Sequence, residues 1–369
     1  MALSPITQRR WRNFKANRRA FWSLWIFLVL FGLSLFAEVI ANERPIVVSF
    51  KGETRFPILR FYSEVDFGGD FRTQAVYRDP EVQCLIETGG AELCLDAPAE
   101  ALAEFRALGT VEGVPGVKGW MIWPPIRYSY NTVSDVGKPA PSAPDSEHLL
   151  GTDNAARDLL ARVIYGFRLS VMFALIVTFA ASIIGVMAGA VQGFFGGLVD
   201  LVFQRVIEIW QSVPSLYIII IVAAIWRMDF WLLILLMTLF SWTALVGVVR
   251  AEFLRARNFE YVRAARALGV RDGTIMFRHI LPNAMVATIT LLPFLVTGAI
   301  GTLAVLDFLG FGLPSNYPSL GEMSLQAKQN LQAPWLAFTA FFTFAIMLSL
   351  LVFIFEGVRD AFDPRKTFR

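Results

Sequence analysis

The sequence predicts an all-α membrane protein with six transmembrane helices and one sizeable α+β insertion outside the membrane, between the first and second spans. Three observations carry this. Of 369 residues, 56% are hydrophobic and only 17% charged, too little charge for a soluble chain of this size. Apolar stretches of spanning length recur through the second half of the chain, broken by short charged or Gly/Pro-bearing segments. Arginine and lysine cluster in three places: Arg9 to Arg19 before the first span, Arg250 to Arg278 between the fourth and fifth, and Arg365, Lys366 and Arg369 after the last. Positive charge beside spans stays cytoplasmic, so these three regions share that side and an even number of spans separates them. The net charge of +3 decides nothing; its distribution does.

Residues 1–20 form a basic arm with Trp11 and Phe14 among the cations. Basic residues interleaved with aromatics also occur in nucleic-acid binders. Next to a span the pattern fits an interfacial helix touching membrane lipid, and no nucleic-acid partner is expected. Residues 21–41 are the first span. Val39-Ile40-Ala41 would pass as a cleavage site, but the apolar core exceeds the roughly 7–15 residues of a signal peptide, so the span is read as a retained anchor.

Residues 42–166 are the insertion together with an amphipathic helix at its end. Its excess of acids fits the outer, periplasmic side. Extended stretches are expected at 45–50 and 56–61, a helix at 98–108, and an extended linker at Lys138-Pro139-Ala140-Pro141-Ser142-Ala143-Pro144. The two cysteines, Cys84 and Cys94, flank Glu87-Thr88-Gly89-Gly90, which reads as a hairpin turn. A cross-hairpin disulfide forms if the compartment is oxidising; two free thiols are the alternative. The insertion is either a passive cap or a docking surface, and its exposed aromatics favour docking.

The second span covers 169–192. Gly185, Gly189, Gly193 and Gly197 recur every four residues, which puts them on one helix face and permits close backbone approach. The third span, 201–226, holds Glu208 and Pro214. An ionisable group inside a span is a functional candidate, so Glu208 either lines a polar pathway or sits near the interface. The fourth, fifth and sixth spans are placed at 230–249, 284–306 and 335–355. Together 167–357 make a five-helix core, and 358–369 a cytoplasmic tail.

Residues 251–283 are too charged to lie in hydrocarbon and form an aqueous loop. Small side chains at Ala264, Ala265 and Ala267 leave a slim helix that can be laid into a groove on another protein. Gly269 allows the chain to reverse, Asp272 is the expected N-cap of a second helical piece, and that piece is expected to end before Pro282.

The stretch from Glu260 to Asn283 resembles the cytoplasmic coupling loop of permease subunits in ATP-binding-cassette (ABC) importers. Ala264-Ala265, Gly269 and Leu281-Pro282 fall in the family register. Arg263 stands where many members have Glu, and His279 where many have Ile, both usual in the dipeptide and oligopeptide branch. Gly151-Thr152-Asp153 followed by Ala156-Arg157-Asp158 resembles the peptide-permease signature, with Ala156 in place of the usual Gly. Asp307-Phe308-Leu309-Gly310-Phe311-Gly312-Leu313-Pro314 is similar to another such stretch, with Asp307 in place of Ser. The end from Glu356 to Pro364 resembles the C-terminal signature. Ala156 and the long insertion resemble the permease subclass known for taking up microcin C.

The resemblance implies the type I ABC importer permease architecture and alternating access driven by ATP hydrolysis on other chains. It implies four partners besides lipid: a homologous second permease, two cytoplasmic ATPases and a periplasmic peptide-binding protein. Tyr261, Arg263, Ala264, Ala265, Leu268, Gly269, Leu281 and Pro282 would form the ATPase-coupling site, with Ala264 and Ala265 buried against the ATPase. Asp153 and Arg157 would cap helices and pair at the membrane surface, with a direct role toward substrate as the alternative. The chain itself carries no phosphate-binding Gly-x-x-x-x-Gly-Lys-Ser/Thr loop, so ATP and Mg belong to partner subunits and this chain needs no cofactor. His148 and His279 lack metal-ligand spacing, and no nucleophile motif appears, so neither a metal site nor an enzyme is expected. An ion-coupled secondary transporter is the alternative; it calls for paired charges near the midplane and an internal repeat, which this sequence lacks.

Overall fold

The computed structural model describes residues 5–134, 137 and 139–362. Lys138 of the linker, Asp363-Pro364 of the C-terminal signature and the basic residues Arg365, Lys366 and Arg369 lie outside the described residues. The chain divides into two compact units, one made of residues 33–165 and the other of 1–32 with 166–369.

The larger unit begins with α1 (Pro5–Ala16) and α2 (Arg18–Leu35). Phe14 and Ala20 pack on Ala361 near the end of the last helix, and the Arg10 guanidinium lies 4.4 Å over the Phe362 ring. The arm is therefore docked on its own chain as well as basic.

The smaller unit opens with α3 (Ala37–Ile40). It holds a three-stranded antiparallel sheet of β1 (Val47–Phe50), β2 (Glu53–Arg55) and β5 (Trp120–Ile122), in the order β2-β1-β5. Between β2 and β5 come α4 (Pro80–Thr88), α5 (Leu93–Asp96), α6 (Pro98–Leu108) and a small ribbon of β3 (Thr110–Val111) and β4 (Val114–Pro115). Phe50, Phe67, Tyr77, Leu85, Ile86 and Phe105 fill its core, with the Phe67 ring edge-on to both Phe50 and Tyr77.

Two expectations for this unit are corrected. Residues 56–61 form a turn, and the second strand lies just before them. The cysteines do not flank a hairpin. Cys84 sits on α4, Gly89 ends that helix in the left-handed region (φ 81°), and Cys94 sits on α5. Apolar residues at 82, 85 and 86 follow a helical rather than a two-residue period, and that period outweighs the Gly-Gly turn signal. The two cysteines are joined in a disulfide inside the core.

The remaining helices are α7 (Leu159–Phe195), α8 (Gly197–Ser212), α9 (Ser215–Ile225), α10 (Phe230–Ser241), α11 (Thr243–Ala256), α12 (Glu260–Ala267), α13 (Asp272–Thr274), α14 (Leu281–Phe308), α15 (Leu320–Gln329) and α16 (Pro334–Phe362). Among the described residues five helices are long and apolar enough to cross a membrane, and α8 with α9 makes a sixth if the bent pair counts as one span.

Here too the expectations need revision. The amphipathic helix and the second span are one helix of 37 residues, because nothing near Arg168 breaks it. The third span is bent by 61°. Pro214 explains the bend: it has no N–H to give and forces Val213 out of the helical region, to φ −86°, ψ 116°. The helical piece after Gly269 does not end before Pro282 but runs through a π-helix (Ile275–Ile280) into α14. Pro282 falls in the first turn of α14, where a missing N–H costs least. The last span reaches Phe362 rather than 355.

The short helix α15 was not foreseen. Its N-cap Ser319 accepts hydrogen bonds from the backbone N–H groups of Gly321 and Glu322 and donates its own hydroxyl to buried Asp307. Asp307 is thus the last turn of α14, not a loop residue, and it also accepts the Leu313 N–H at 2.7 Å.

Candidate coupling site

The loop between α11 and α14 is built around α12. Its N-terminus is tied back by Arg263, whose Nε and Nη2 both donate to the Asn258 carbonyl, at 3.1 and 2.9 Å. Its C-terminus closes with paired backbone bonds. Gly269 N–H donates to Arg266 O at 2.9 Å and Val270 N–H to Ala265 O at 3.1 Å, the Schellman pattern. That pattern requires the residue after the cap in the left-handed region, and Gly269 has φ 75°. Asp272 is not the cap of the next piece; Arg271 holds the cap position and Asp272 is the first helical residue, 3.8 Å from Arg266 Nε. A carboxylate suits either place, since both sit at the positive end of the helix.

The eight residues of α12 present two faces. Val262 and Ala265 point inward and join one apolar cluster with Phe194 of α7, Phe253 of α11, Ile275 and Ile280 of the π-helix and Ala284 of α14. Tyr261, Arg263, Ala264 and Leu268 point outward, Leu268 being 83% exposed. Positions 261, 264 and 268 are spaced three and four apart and so form one stripe. The expectation that Ala264 and Ala265 share a docking role is therefore corrected for Ala265, which already packs against its own chain. Leu281 packs on the same inner cluster, while Pro282 is exposed. The outward stripe is apolar and slim; the inward face ties the loop to the feet of three long helices.

Two further arrangements fix that base. A side chain on Gly185, Gly189 or Gly193 of α7 would run into the backbone carbonyl of, respectively, Trp242 at the N-cap of α11, Val246 or Arg250. Each step of four on one helix meets a step of four on the other. Gly197 is not part of this stripe; it opens α8 with φ 55° and nothing within 4 Å of where a Cβ would stand. Arg250 of α11 also holds Asp200 of α8 through two hydrogen bonds. That pair was missed in the sequence, because 50 residues separate its members and no motif joins them. Glu208, the pathway candidate, pairs with Arg205 at 2.6 Å on an exposed part of α8 and accepts from Gln204 at 3.3 Å.

In the smaller unit, Asp153 accepts hydrogen bonds from the N–H groups of Ala155 and Arg157 and pairs with the Arg157 side chain at 2.7 Å; Arg162 Nε lies 3.5 Å away. Asp158 accepts the Ala161 N–H at 2.7 Å and meets His148 Nδ1 at 2.8 Å. Both acids are buried, so the signature is a turn-building cluster. Ala156 has φ 56°, a conformation that favours the glycine usual at this place. Among the described residues no group of acids, histidines and cysteines could hold a metal ion.

Five long apolar helices, or six with the bent pair as one span, and a short amphipathic helix between two of them mark a multi-pass membrane protein. The chain matches the family model described as binding-protein-dependent transport system inner membrane component over residues 181–368, and the N-terminal TM domain of oligopeptide transport permease C over residues 4–51. It belongs to this permease family. It is 54% identical over 99% of its length to the peptidoglycan transport system permease protein YejE of Agrobacterium fabrum, covering 95% of that protein. It is 51% identical, again over 99% of its length, to the inner membrane ABC transporter permease protein YejE of Escherichia coli, of which it covers 98%. The oligopeptide transport system permease protein OppC of Bacillus subtilis is 34% identical over 65% of this chain and 78% of its own length. The protein is a multi-pass inner-membrane permease of the type I ABC importer class.

Proposed function

We propose that this chain is one of two permease subunits of an importer that carries peptides, including peptide-bearing compounds of the microcin C kind, across the inner membrane. A homologous permease completes the pathway, two cytoplasmic ATPases bind ATP and Mg, and a periplasmic binding protein delivers the substrate. Both termini and the loop 251–283 face the cytoplasm, and residues 42–166 face the periplasm. The names of its relatives, transporters of peptidoglycan and of oligopeptides, support the substrate class. Family membership speaks against the ion-coupled alternative.

The observation that carries the mechanism is the split of α12 into an outward stripe of Tyr261, Ala264 and Leu268 and an inward face shared with α7, α11 and α14. A large apolar side chain left open at one end of a slim helix fits a groove on a partner. A partner that grips the stripe would move three spans through one apolar cluster, which is what alternating access requires. Gly269 and Arg263 keep α12 a fixed handle. The chain performs no covalent chemistry in this scheme.

The test is recovery of the ATPases with purified permease at matched membrane levels, together with ATP-driven peptide uptake. Ala264→Asp and Leu268→Ala should each lower both. Full ATPase recovery and normal uptake with both variants would refute this coupling site.

A further inference from the structure

The smaller unit carries a cleft that neither the spans nor the coupling loop accounts for. Its central part is a cavity of 400 Å³ walled by Arg78, Gln83, Trp123, Arg127, Tyr128 and Glu147, among others. It shares Arg78 with a neighbouring cavity of 490 Å³, and Gln83, Trp123 and Arg127 with another of 840 Å³. The three adjoin through these shared walls, and the central volume alone is in the range that holds a small ligand of two or three residues.

Its charges are arranged for an anion. The Arg78 guanidinium lies 4.3 Å over the Tyr128 ring, and that of Arg127 lies 5.2 Å over the Trp123 ring. Neither forms an ion pair with a carboxylate among the described residues. Stacking uses the flat face of a guanidinium and leaves its N–H edge free, and that edge matches a carboxylate with two parallel hydrogen bonds. Lysine in either place would lose that match.

The rings are held from behind. Tyr128 is buried and its other neighbour is the His148 ring, 4.3 Å between centroids, which in turn meets Asp158 at 2.8 Å. Gln83 is fixed by donating to the carbonyls of Tyr77 and Arg78. The Tyr128 hydroxyl, like any tyrosine hydroxyl, is protonated at neutral pH and able to donate, and burial raises it further above its ordinary range. Asp158 is engaged with His148, which leaves exposed Glu147 as the other acid on the wall of the central cavity, suited to an ammonium end; Glu43, Asp79 and Glu87 line the flanking cavities.

We propose that this cleft between Arg78 and Arg127 of the smaller unit binds short peptides through their free terminal carboxyl group. The choice of a peptide over other carboxylates rests on the importer reading above; the cleft itself stands on its geometry.

The test is calorimetric binding of the tripeptide Ala-Ala-Phe and of its C-terminal amide to the purified full-length permease in nanodiscs, without binding protein or ATP. The acid should bind at least tenfold more tightly than the amide. Arg127→Ala, at an exposed position that does not support the core, and the paired Arg78→Lys and Arg127→Lys substitutions should each remove that preference, with melting temperatures unchanged. Equal binding of acid and amide, or a preference that survives both sets of substitutions, overturns the proposal. So does recovery of the binding protein that depends on these two arginines while no peptide binds, since the cleft would then be a protein-docking surface. Uptake by the assembled importer is measured in parallel. Failed binding with intact uptake refutes this site and spares the importer; failed uptake with intact binding does the reverse.

Discussion

Arg250 grips Asp200 with both arms of its guanidinium, Nε to Oδ1 at 2.5 Å and Nη2 to Oδ2 at 2.6 Å. The first arm of the bent pair is thereby pinned to the helix that leads into the coupling loop. Arg250 takes part twice, since its backbone carbonyl is also what Gly193 of α7 packs on. One residue thus joins three spans. Arg250→Lys keeps the charge but loses the fork, and should lower thermal stability in detergent by about 1–2 kcal/mol, the range for a charge-assisted hydrogen bond at a partly open site. Arg205→Lys, in the exposed pair with Glu208, should change it by well under about 1 kcal/mol.

The glycine face of α7 makes a sharper prediction. A methyl group on Gly193 would stand 2.5 Å from Arg250 O and 2.7 Å from Phe253 Cβ, both too near to accommodate without parting the helices. Gly193→Ala should destabilise by about 1–3 kcal/mol, the usual cost of overpacking. Gly298→Ala, inside α14 with nothing within 4 Å of the added methyl, is the control and should melt no lower than the wild type.

Neighbouring alanines on α12 should fail differently. Ala265→Asp places a carboxylate in the chain's own apolar cluster and should reduce folded permease in the membrane, by several kcal/mol if it stays charged and unpaired. Ala264→Asp should leave the yield and melting temperature of the permease alone and lose the ATPases. Measuring both quantities for both variants separates packing from docking; identical behaviour of the two would contradict the inward and outward assignment.

Ala156 sits at φ 56°, where an L side chain costs about 1–2 kcal/mol. Glycine removes that cost and gives back part of it as unfolded-chain entropy, about 0.5–1 kcal/mol. Ala156→Gly should therefore stabilise the smaller unit slightly, read as a higher melting temperature or slower proteolysis.

Tyr77 supplies the pH dependence. Burial pushes its hydroxyl above the ordinary tyrosine range, and that hydroxyl has no hydrogen-bond partner among the described residues. In the unfolded chain the hydroxyl ionises at about pH 10, while in the folded chain it keeps its proton. The unfolded state thus loses protons first, and stability falls as pH rises past that value. Tyr77→Phe should leave stability at neutral pH equal or higher, because an unpaired buried hydroxyl is removed. It should also flatten the alkaline decline in melting temperature. A variant less stable than wild type at neutral pH would argue against an unpaired hydroxyl.

The spans and the short helix of the loop between α11 and α14 could be read in advance because their signals are local. An apolar run long enough to cross a bilayer has few other fates, and the Ala-Ala, Gly and Leu-Pro spacing of the loop maps onto a helix, its Schellman stop and the start of the next helix. The direction of each alanine on α12 was not legible, because Ala264 and Ala265 are the same residue type and only the cluster under the helix tells them apart. The bend at Pro214 was signalled by a proline in an apolar run, yet a proline alone does not say whether a span kinks or breaks. The Arg250–Asp200 pair, the Asp307–Ser319 contact and the arginine-lined cleft all depend on residues far apart in sequence, and no spacing announces them. The hairpin expected between the cysteines failed because a Gly-Gly pair also ends helices.

The two faces of α12 answer to different demands. Val262 and Ala265 are constrained by three helices of the same chain, so they are free to change only when those helices change with them. Tyr261, Ala264 and Leu268 are exposed and do not belong to that cluster. On the coupling reading proposed above, three surface side chains would set which motor this permease accepts while the packing beneath them stays as it is, and a chimaera that exchanges only this stripe should keep its own substrate and take another system's ATPases.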